Sequence, residues 1–592
     1  MNQQSSPAGE PAGAAAPADG EPAARSGRNS DRRSWHRRAS RPVTVWLVLL
    51  VIAGLIHPVI PEYRWVLIHL FTLGAVTNSI VLWSQHFTEK FLGQRLPDAA
   101  RPRQLLRIRL LNAGIVLTLL GQTTGGVWER SWLLTQAGAA VISVLLLWHA
   151  VALAGQFFRA ERARRFRAAV LAYVASALCL PVGAVFGAVL AMGPGAGWQE
   201  RLLLGHLVVN VLGFIGLAAV GSLAVLFPTI WRTRAGRDRT AGAVALLLAG
   251  LIATTVGALL DHGTIAGAGL LVYVVGWILA ALPWVGNVLA VCRDPRDRIS
   301  FAAVSVALAP LWLIGTLLQL AVRALLAGEQ LAQVPLPSIP LLVGFAAQLL
   351  IGVMSQLLPA TIGGGAGAVR TAMVELNRAA LFRATLVNLG LAIWLASDYS
   401  WLKVVMSVLS IGALVAFLPL VARGVRAQVK VLRRQREPVP APAEPRPATG
   451  QITAAIAVVA LILALFGGLH GPGSPGPTDT AVSTGAGDEN VTEVTVVAGD
   501  LVFEPAQVSV PAGNRLLITL RNEDTIAHDL RLENGVRSGR LVPGQEMRLD
   551  AGIITADVNG WCTIAGHHAQ GMTFDVLAAT PTDAGPETTD TR

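Results

Sequence analysis

The sequence predicts a polytopic α-helical membrane protein that carries a small all-β sandwich near its C-terminal end. Of the 592 residues, 53% are hydrophobic and 14% are charged, whereas soluble domains have about 25% charged residues. Apolar runs of membrane-spanning length recur through most of the chain, and short alternating runs replace them near the end. Three cysteines in a chain of this length exclude a disulfide framework.

The N-terminal segment, residues 1–42, contains no apolar run. Ala, Pro, Gly and Ser dominate its first part, and seven arginines lie between residues 25 and 41. Such a composition cannot bury enough apolar surface to offset the chain entropy, which predicts a disordered, basic cytoplasmic tail. Because no small-residue cleavage site follows the first apolar run, we expect no signal peptide.

Twelve apolar runs follow in a block at 43–423, and a thirteenth lies at 451–470. Each is close to the roughly 20 residues that an α-helix needs to cross about 30 Å of hydrocarbon. The sequence predicts the twelve spans near 43–60, 65–86, 105–125, 132–155, 168–192, 202–230, 241–260, 266–291, 299–327, 338–361, 379–396 and 400–422.

The loops between these runs alternate in charge, and the alternation predicts the topology. All six even-numbered connections are basic, and the six odd-numbered ones hold few positive charges. Because cytoplasmic loops are enriched in Lys and Arg, we expect a multi-pass protein of the cytoplasmic membrane with its N terminus inside. The net charge of +11 lies mostly in these loops, so the expected partner is the lipid bilayer and not nucleic acid.

Composition divides the rest of the chain. Residues 424–450 form a basic, Pro-rich cytoplasmic linker, and residues 471–490 form a flexible tether. From 491 to 578, short alternating runs separated by turn residues predict a β-sandwich that is large enough to fold alone. This domain follows the thirteenth span and is therefore expected outside the cell, with residues 579–592 as a disordered tail.

An internal repeat links two of the predicted spans. Gly213-Phe214 and the run 221–228 recur as Gly344-Phe345 and 352–359, at an offset of 131 residues. The sixth and tenth spans are therefore alike and four helices apart, and the second span lies a further four helices back. This spacing predicts three sets of four helices.

The clearest chemical motif is WCTIAGHHAQGM, which ends at Met572. Cys562, His567 and Met572 form a Cys-x4-His-x4-Met pattern on one loop, and His528 lies 34 residues before the cysteine. One thiolate, two imidazoles and a weak axial thioether are the ligands of a blue-copper electron-transfer centre. The spacing therefore predicts a copper site, and the alternative is a sandwich whose cysteine is merely buried.

Residues 491–578 resemble a cupredoxin. The resemblance rests on Phe503-Glu504-Pro505, Val510-Pro511-Ala512-Gly513, the run from Asn522 to His528, and the loop from Cys562 to Met572. It implies a type 1 copper held by His528, Cys562, His567 and Met572. The absence of Cys-x3-Cys and of a second His-Cys-His run excludes a binuclear electron-transfer site and a trinuclear oxidase cluster. The stretch HDLRLENGVRSGRLVPGQEM and the segment from Asp550 to Met572 are also similar to the N-terminal cupredoxin domain of membrane-anchored actinobacterial copper nitrite reductases.

Two membrane histidines, His69 and His206, lie about four residues into the second and sixth predicted spans, about 6 Å below the outer surface. Ionisable residues inside a membrane are candidates for function, and matched depth suits the two axial imidazoles of a haem, or a copper site. The alternative is that each histidine hydrogen-bonds a neighbouring helix.

These two histidines and the three sets of four helices resemble the haem–copper oxidase subunit I superfamily and a related haem–copper membrane family linked to nitric oxide response. The chain departs from that pattern because the seventh span has no His-His pair and the tenth has no histidine.

Together these features predict a membrane-bound redox protein that is an electron-transfer component rather than a complete enzyme. Its copper domain would pass electrons between the membrane block and an external partner protein such as a nitrite reductase. Two other functions stay open. One is a copper transport or handling protein with an external copper-capturing domain, and the other is a sensor or assembly factor without turnover.

Overall fold

The computed structural model describes residues 21–441 and 490–579. Short gaps fall at 95, 125–127, 129, 163, 193, 195–197, 294–298, 329–330, 332–333, 398–399, 525–527, 540, 563–566 and 568–570. The chain divides into two compact units, residues 1–474 and 475–592. The predicted thirteenth span and nearly all of the tether lie outside the described residues.

The first unit is helical. Its α-helices are α1 (Glu21–Leu55), α2 (Tyr63–His69), α3 (Asn78–Leu92), α4 (Arg101–Thr123), α5 (Trp132–Arg159), α6 (Arg167–Ala191), α7 (Trp198–Leu207), α8 (Leu217–Ile230), α9 (Thr240–Leu259), α10 (Gly263–Cys292), α11 (Phe301–Ala327), α12 (Gln348–Ile362), α13 (Gly365–Leu376), α14 (Ala380–Ala396), α15 (Ser400–Val415) and α16 (Phe417–Leu432). Eleven stretches of the described chain are long and apolar enough to cross a membrane. They become twelve if α13 and α14, bent by 45°, count as one span. The predicted helical block of membrane spans is confirmed.

Two boundaries differ from the prediction. Helix α1 begins at Glu21, so residues 21–42, expected to be disordered, are helical, and α16 extends to Leu432, into the expected linker. Both extensions continue a helix that is already formed, and adding residues to an existing helix avoids the cost of nucleation. Gln428 also fixes α16, because its Nε2 donates hydrogen bonds to the carbonyls of Pro359 and Gly363 at 2.9 and 2.8 Å.

The second, sixth and tenth spans share an irregularity. Each contains a π-helical segment: Leu70–Thr77 between α2 and α3, Val208–Gly216 between α7 and α8, and Pro340–Ala347 before α12. Such segments are rare and occur frequently at functional sites. Their recurrence every fourth span supports the prediction of three sets of four helices.

A glycine in the first and third of these π-helical segments makes room for a tryptophan of the preceding span. A Cβ atom on Gly74 would lie 2.8 Å from the ring of Trp46, and one on Gly344 would lie 2.7 Å from the ring of Trp312. A larger residue at either position would force the two helices apart. The same close approach thus occurs in the first and ninth spans of the chain.

The two tryptophans also form equivalent hydrogen bonds. The indole Nε1 of Trp46 donates to Asn112 Oδ1 at 2.5 Å, and that of Trp312 donates to Asn388 Oδ1 at 2.8 Å. Each asparagine in turn donates to the carbonyl four residues earlier in its own helix. The first three spans and the ninth to eleventh spans are therefore built alike.

The described residues of the second unit form a β-sandwich of eight strands. These are β1 (Val491–Gly499), β2 (Val502–Glu504), β3 (Gln507–Pro511), β4 (Arg515–Asn522), β5 (Arg531–Leu532), β6 (Glu546–Ile553), β7 (Val558–Trp561) and β8 (Thr573–Ala579). One sheet has the order β2-β1-β4-β6 and the other β3-β8-β7-β5, with β1/β4 and β3/β8 parallel. Phe503 and Phe574 meet edge to face in the core between them, with ring centroids 6.4 Å apart.

Candidate metal centre

Three of the four predicted copper ligands lie on the loop between β7 and β8. Trp561, the last residue of β7, pairs with Thr573, the first of β8, so Cys562 and Met572 stand at the two bases of the loop. The Cys562 N–H donates to the Met572 carbonyl at 3.2 Å, and the Met572 N–H donates to the His567 carbonyl at 3.1 Å. The strand pairing therefore fixes both ends of the loop.

The fourth predicted ligand, His528, is held by a separate part of the sandwich. It forms an isolated antiparallel bridge with Leu541, exchanging backbone hydrogen bonds of 3.0 and 2.7 Å. The buried Asn522 side chain donates to the same Leu541 carbonyl at 3.0 Å. The backbone of His528 is thus positioned independently of the β7–β8 loop.

The side chains of His528, Cys562 and His567 converge. The Cys562 Sγ lies 3.5 Å from His567 Nδ1, the two histidine Nδ1 atoms are 3.2 Å apart, and all three ligand atoms lie within 4.8 Å of one another. All three residues are buried. A metal bound about 2.0–2.3 Å from two imidazole nitrogens and a thiolate in a trigonal plane separates these atoms by about 3.5–3.7 Å. The arrangement therefore fits one metal ion.

A carboxylate orients the first histidine. His528 Nε2 donates to Asp524 Oδ2 at 2.9 Å, because an ionised carboxylate can only accept. The hydrogen of the imidazole is then on Nε2, which leaves the Nδ1 lone pair directed at the cysteine and the second histidine. Carboxylates commonly orient metal-binding histidines in this way. Asp524 was not among the residues predicted from the sequence, although its position four residues before a candidate ligand was a usable signal.

A second carboxylate lies beside the thiol. The Cys562 Sγ–H donates to Asp529 Oδ1 at 3.3 Å, across 33 residues of sequence. This contact was not predicted from the sequence either, where the one signal was that Asp529 directly follows His528. When the thiol loses its proton to bind a metal, a negative charge stands next to the resulting thiolate.

Met572 is fully buried and belongs to the same hydrophobic cluster as Cys562. A thioether is a weak, long axial ligand in copper sites of this kind. The structure thus places Met572 beside the cysteine at the base of the loop, where the sequence predicted an axial ligand.

Comparison with known proteins identifies the second unit. Residues 457–555 match the family described as "Cupredoxin-like domain". The C-terminal domain is cupredoxin-like. Reduced auracyanin from the photosynthetic bacterium Roseiflexus castenholzii is 18% identical, covering 15% of this chain and 98% of that structure with a TM-score of 0.14. Auracyanin B is 17% identical, covering 15% of this chain and 88% of that structure, also with a TM-score of 0.14. No curated protein matches the chain.

The predicted cupredoxin resemblance is confirmed. A cupredoxin-like domain implies copper binding and electron transfer, and the apolar helices fit a membrane anchor in a lipid bilayer. The family match ends at residue 555, before Cys562, His567 and Met572. For these three residues, the ligand assignment depends on the geometry of the loop.

The two membrane histidines lie close together in the first unit. The ring centroids of His69 and His206 are 6.3 Å apart, with the rings inclined at 41°. His69 is the last residue of α2 and stacks on Trp65 at 3.8 Å, and His206 is in the last turn of α7. Each therefore lies just before the π-helical segment of its span.

Hydrogen bonds fix the tautomers of both membrane histidines. His69 Nδ1–H donates to the carbonyl of Trp65 in its own helix, and His206 Nδ1–H donates to the carbonyl of Gly183 in α6, both at 2.8 Å. The alternative of a bond to a neighbouring helix therefore describes His206 and not His69. In both rings the Nε2 atom keeps its lone pair, and within the described chain neither Nε2 atom has a hydrogen-bond partner.

Proposed function

We propose that the C-terminal domain holds one type 1 copper on His528, Cys562, His567 and Met572, and that it passes electrons between the membrane unit and an external protein. The observation that carries this proposal is the convergence of one thiol and two imidazole nitrogens within 4.8 Å in a cupredoxin-like domain. When bound, copper supplies one-electron redox chemistry. The protein's own part is to exclude water from the buried ligands and to fix their positions in both redox states.

We assign the domain to the outer side of the cytoplasmic membrane. The alternation of six basic and six charge-poor loops supports this orientation. The external partner is a redox protein such as a nitrite reductase. The similarity of the segment after His528 to the cupredoxin domain of copper nitrite reductases supports that choice.

The test uses the full-length protein in lipid nanodiscs. Wild type should bind one tightly held copper in this domain and show the intense visible band of thiolate-bound Cu(II), which bleaches on reduction and returns on oxidation. Cys562→Ser should abolish the band, because the thiolate supplies the charge transfer. The matched variants Cys179→Ser and Cys292→Ser remove the two other free thiols and should keep it. Copper-loaded wild type without the band would refute the assignment.

The same sample separates electron transfer from copper handling. An electron carrier keeps its copper through repeated cycles of reduction and oxidation in the presence of a Cu(I) chelator. A copper-handling protein releases the metal to the chelator on reduction. Retention of the metal together with rapid reoxidation supports the electron-transfer role.

We further propose that His69 and His206 hold one metal between them, as axial ligands of a haem iron or as ligands of a copper ion. A metal about 2.0–2.1 Å from each Nε2 atom keeps two imidazole centroids no more than about 6.5 Å apart, and the observed 6.3 Å lies within that limit. This site would supply electrons to the copper domain.

Reduced-minus-oxidised spectra and metal analysis of purified wild type, His69→Ala and His206→Ala test this second site. Either substitution should remove the same membrane-unit signal and leave the Cys562-dependent band intact. A signal that survives both substitutions would mean that other residues bind the cofactor. If wild type carries no metal beyond the copper of the C-terminal domain, the proposal fails.

A further inference from the structure

A cluster of buried polar side chains lies in the first unit, apart from the His69–His206 pair. It occupies the half of the unit in which α3 ends, α4 begins and α5 ends. Its members are Gln85, Thr88, Gln104, Arg107, His149 and Gln156, each no more than 6% exposed. We call these six residues the Arg107 cluster.

Three contacts hold the helices of this region together. The hydroxyl of Ser84 on α3 lies 2.9 Å from His149 Nε2 on α5. Glu89 on α3 faces Arg101 on α4 at 3.7 Å, and the Arg107 guanidinium carbon lies 5.6 Å from the ring centre of Trp148 on α5. The remaining members follow at helical spacing on the same faces, so the cluster forms one polar region inside the bundle.

Most of the polar atoms in the cluster have no partner within the described chain. These atoms are both amide atoms of Gln85 and Gln104, the hydroxyl of Thr88, Nε of Arg107, Nδ1 of His149 and Oε1 of Gln156. Each unpaired polar atom inside an apolar bundle costs free energy. So many unpaired polar atoms on three neighbouring helices indicate that the region binds a ligand that supplies hydrogen bonds.

The charge of Arg107 limits the kind of ligand that this region can bind. The buried guanidinium of Arg107 has no acidic partner and no hydrogen bond among the described residues, whereas Glu89 is paired with Arg101. A buried charge is strongly unfavourable unless an opposite charge compensates it. Water can satisfy the amide oxygens, but it cannot neutralise the guanidinium.

We propose that the Arg107 cluster binds a small monovalent inorganic anion together with water. The guanidinium supplies the positive charge and a planar set of donors that suits a planar oxyanion. The amide nitrogens of Gln85 and Gln104 and the hydroxyl of Thr88 supply further donors. This site is independent of the copper centre and of the His69–His206 pair.

The test measures the thermal unfolding of the full-length protein in lipid nanodiscs, with sodium nitrate as the probe and sodium gluconate at equal ionic strength as the reference. A ligand that binds only the folded state raises the unfolding midpoint, and we expect wild type to gain about 2–4 °C in nitrate. Arg107→Gln should remove the nitrate effect. Arg109→Gln, an exposed arginine on the same helix, should retain it.

Two outcomes would overturn the proposal. One is a wild type whose unfolding midpoint is the same in both salts, and the other is an equal loss of the nitrate effect in Arg107→Gln and Arg109→Gln. If Arg107→Gln does not fold, Arg107→Lys replaces it. Lysine keeps the charge but loses the planar donor set, so a weakened nitrate effect supports the site and an unchanged effect contradicts it. Adding Cys562→Ser should leave each result unaltered, which separates this test from that of the copper centre.

Discussion

Among the residues that the structure describes, two pairs of histidines have rings that approach each other, and the pairs differ in what surrounds them. The rings of His528 and His567 have centroids 4.9 Å apart, and a cysteine thiol completes a set of three donors. The rings of His69 and His206 are 6.3 Å apart, and no third Cys, His, Asp or Glu joins them in the part of the chain that the structure describes. The first pair can hold a metal with protein ligands alone. The second pair supplies only two imidazole donors, so it needs either a further ligand from outside these residues or a metal that two donors can bind.

The two pairs are also oriented by different means. A carboxylate orients His528, while backbone carbonyls orient His69 and His206. A carboxylate brings a negative charge, which strengthens the imidazole as a metal ligand. Carbonyls bring no charge, and charge is costly inside a membrane. The environment of each pair thus determines the kind of group that positions its rings.

The largest expected effect concerns the carboxylate that orients His528. Asp524→Ala should weaken copper binding about 10–100-fold, the usual cost of removing such a partner. The affinity can be measured by competition with a chelator, using the visible band. Glu523→Ala is the matched control, because this neighbouring acid pairs with Arg521 on the surface. Equal affinities of wild type and Asp524→Ala would show that the carboxylate does not support the site.

The features of the two histidine pairs that the sequence predicts are those that depend on short stretches of chain. The Cys562–His567–Met572 spacing lies within one loop, and the depth of His69 and His206 follows from the start of each apolar run. Asp529 and the Arg107 cluster could not be predicted in this way. The Asp529–Cys562 contact joins residues 33 apart, and the isolation of Arg107 depends on which side chains three helices bring together.

The internal repeat also shows that the sequence alone does not reveal every structural equivalence. Its sequence match covers the sixth and tenth spans, but the structural equivalence is clearest between the first three spans and the ninth to eleventh, where tryptophan packs on glycine. In the middle set, Cys179 takes the place of the tryptophan, and a Cβ atom on Gly213 would lie 2.8 Å from its Sγ. Because a cysteine stands where the other two sets have a tryptophan, the equivalence is not visible in the sequence. The three sets share the position of the packing contact and not the type of residue that makes it.

The second prediction disturbs the membrane pair without changing either histidine. A Cβ atom on Gly187 would lie 2.8 Å from His206 Cε1, so Gly187→Ala should displace the ring and reduce the membrane-unit metal signal several-fold. Gly155→Ala is the matched control, since nothing lies within 4 Å of that Cβ position. The visible band of the C-terminal domain should be the same in both variants. A normal metal signal in Gly187→Ala would indicate that the position of His206 does not matter for binding.

The third prediction concerns the charge beside the Cys562 thiol, which we propose binds copper. The Asp529 carboxylate lies 3.3 Å from Cys562 Sγ, and a negative charge there favours Cu(II) over Cu(I). Asp529→Asn should therefore raise the reduction potential by tens of millivolts while keeping the visible band. Asp500→Asn, which makes the same charge change at an exposed position, should leave the potential nearly unaltered in a redox titration. A potential that falls in Asp529→Asn would contradict the expected effect of the charge, because an asparagine N–H that donates to the sulfur would also raise the potential.

The smallest expected effect is on the stability of the sandwich, away from either histidine pair. The Arg515 guanidinium on β4 donates to Asp550 on β6 at 2.6–3.1 Å, and these bonds, together with the Gly552 N–H, lower the pKa of Asp550. Because the folded-state pKa lies below the unfolded one, this interaction stabilises the domain above the unfolded pKa of about 3.9 and is lost as the pH falls through the folded value. Both side chains are largely exposed, so the effect is small.

In copper-free residues 475–592, which form a compact unit with their own core, Asp550→Asn should lower the unfolding midpoint slightly at pH 7. The difference from wild type should shrink towards pH 2, where the wild-type carboxyl is protonated as well. A difference that stays constant with pH would instead indicate a loss of packing or of neutral hydrogen bonds.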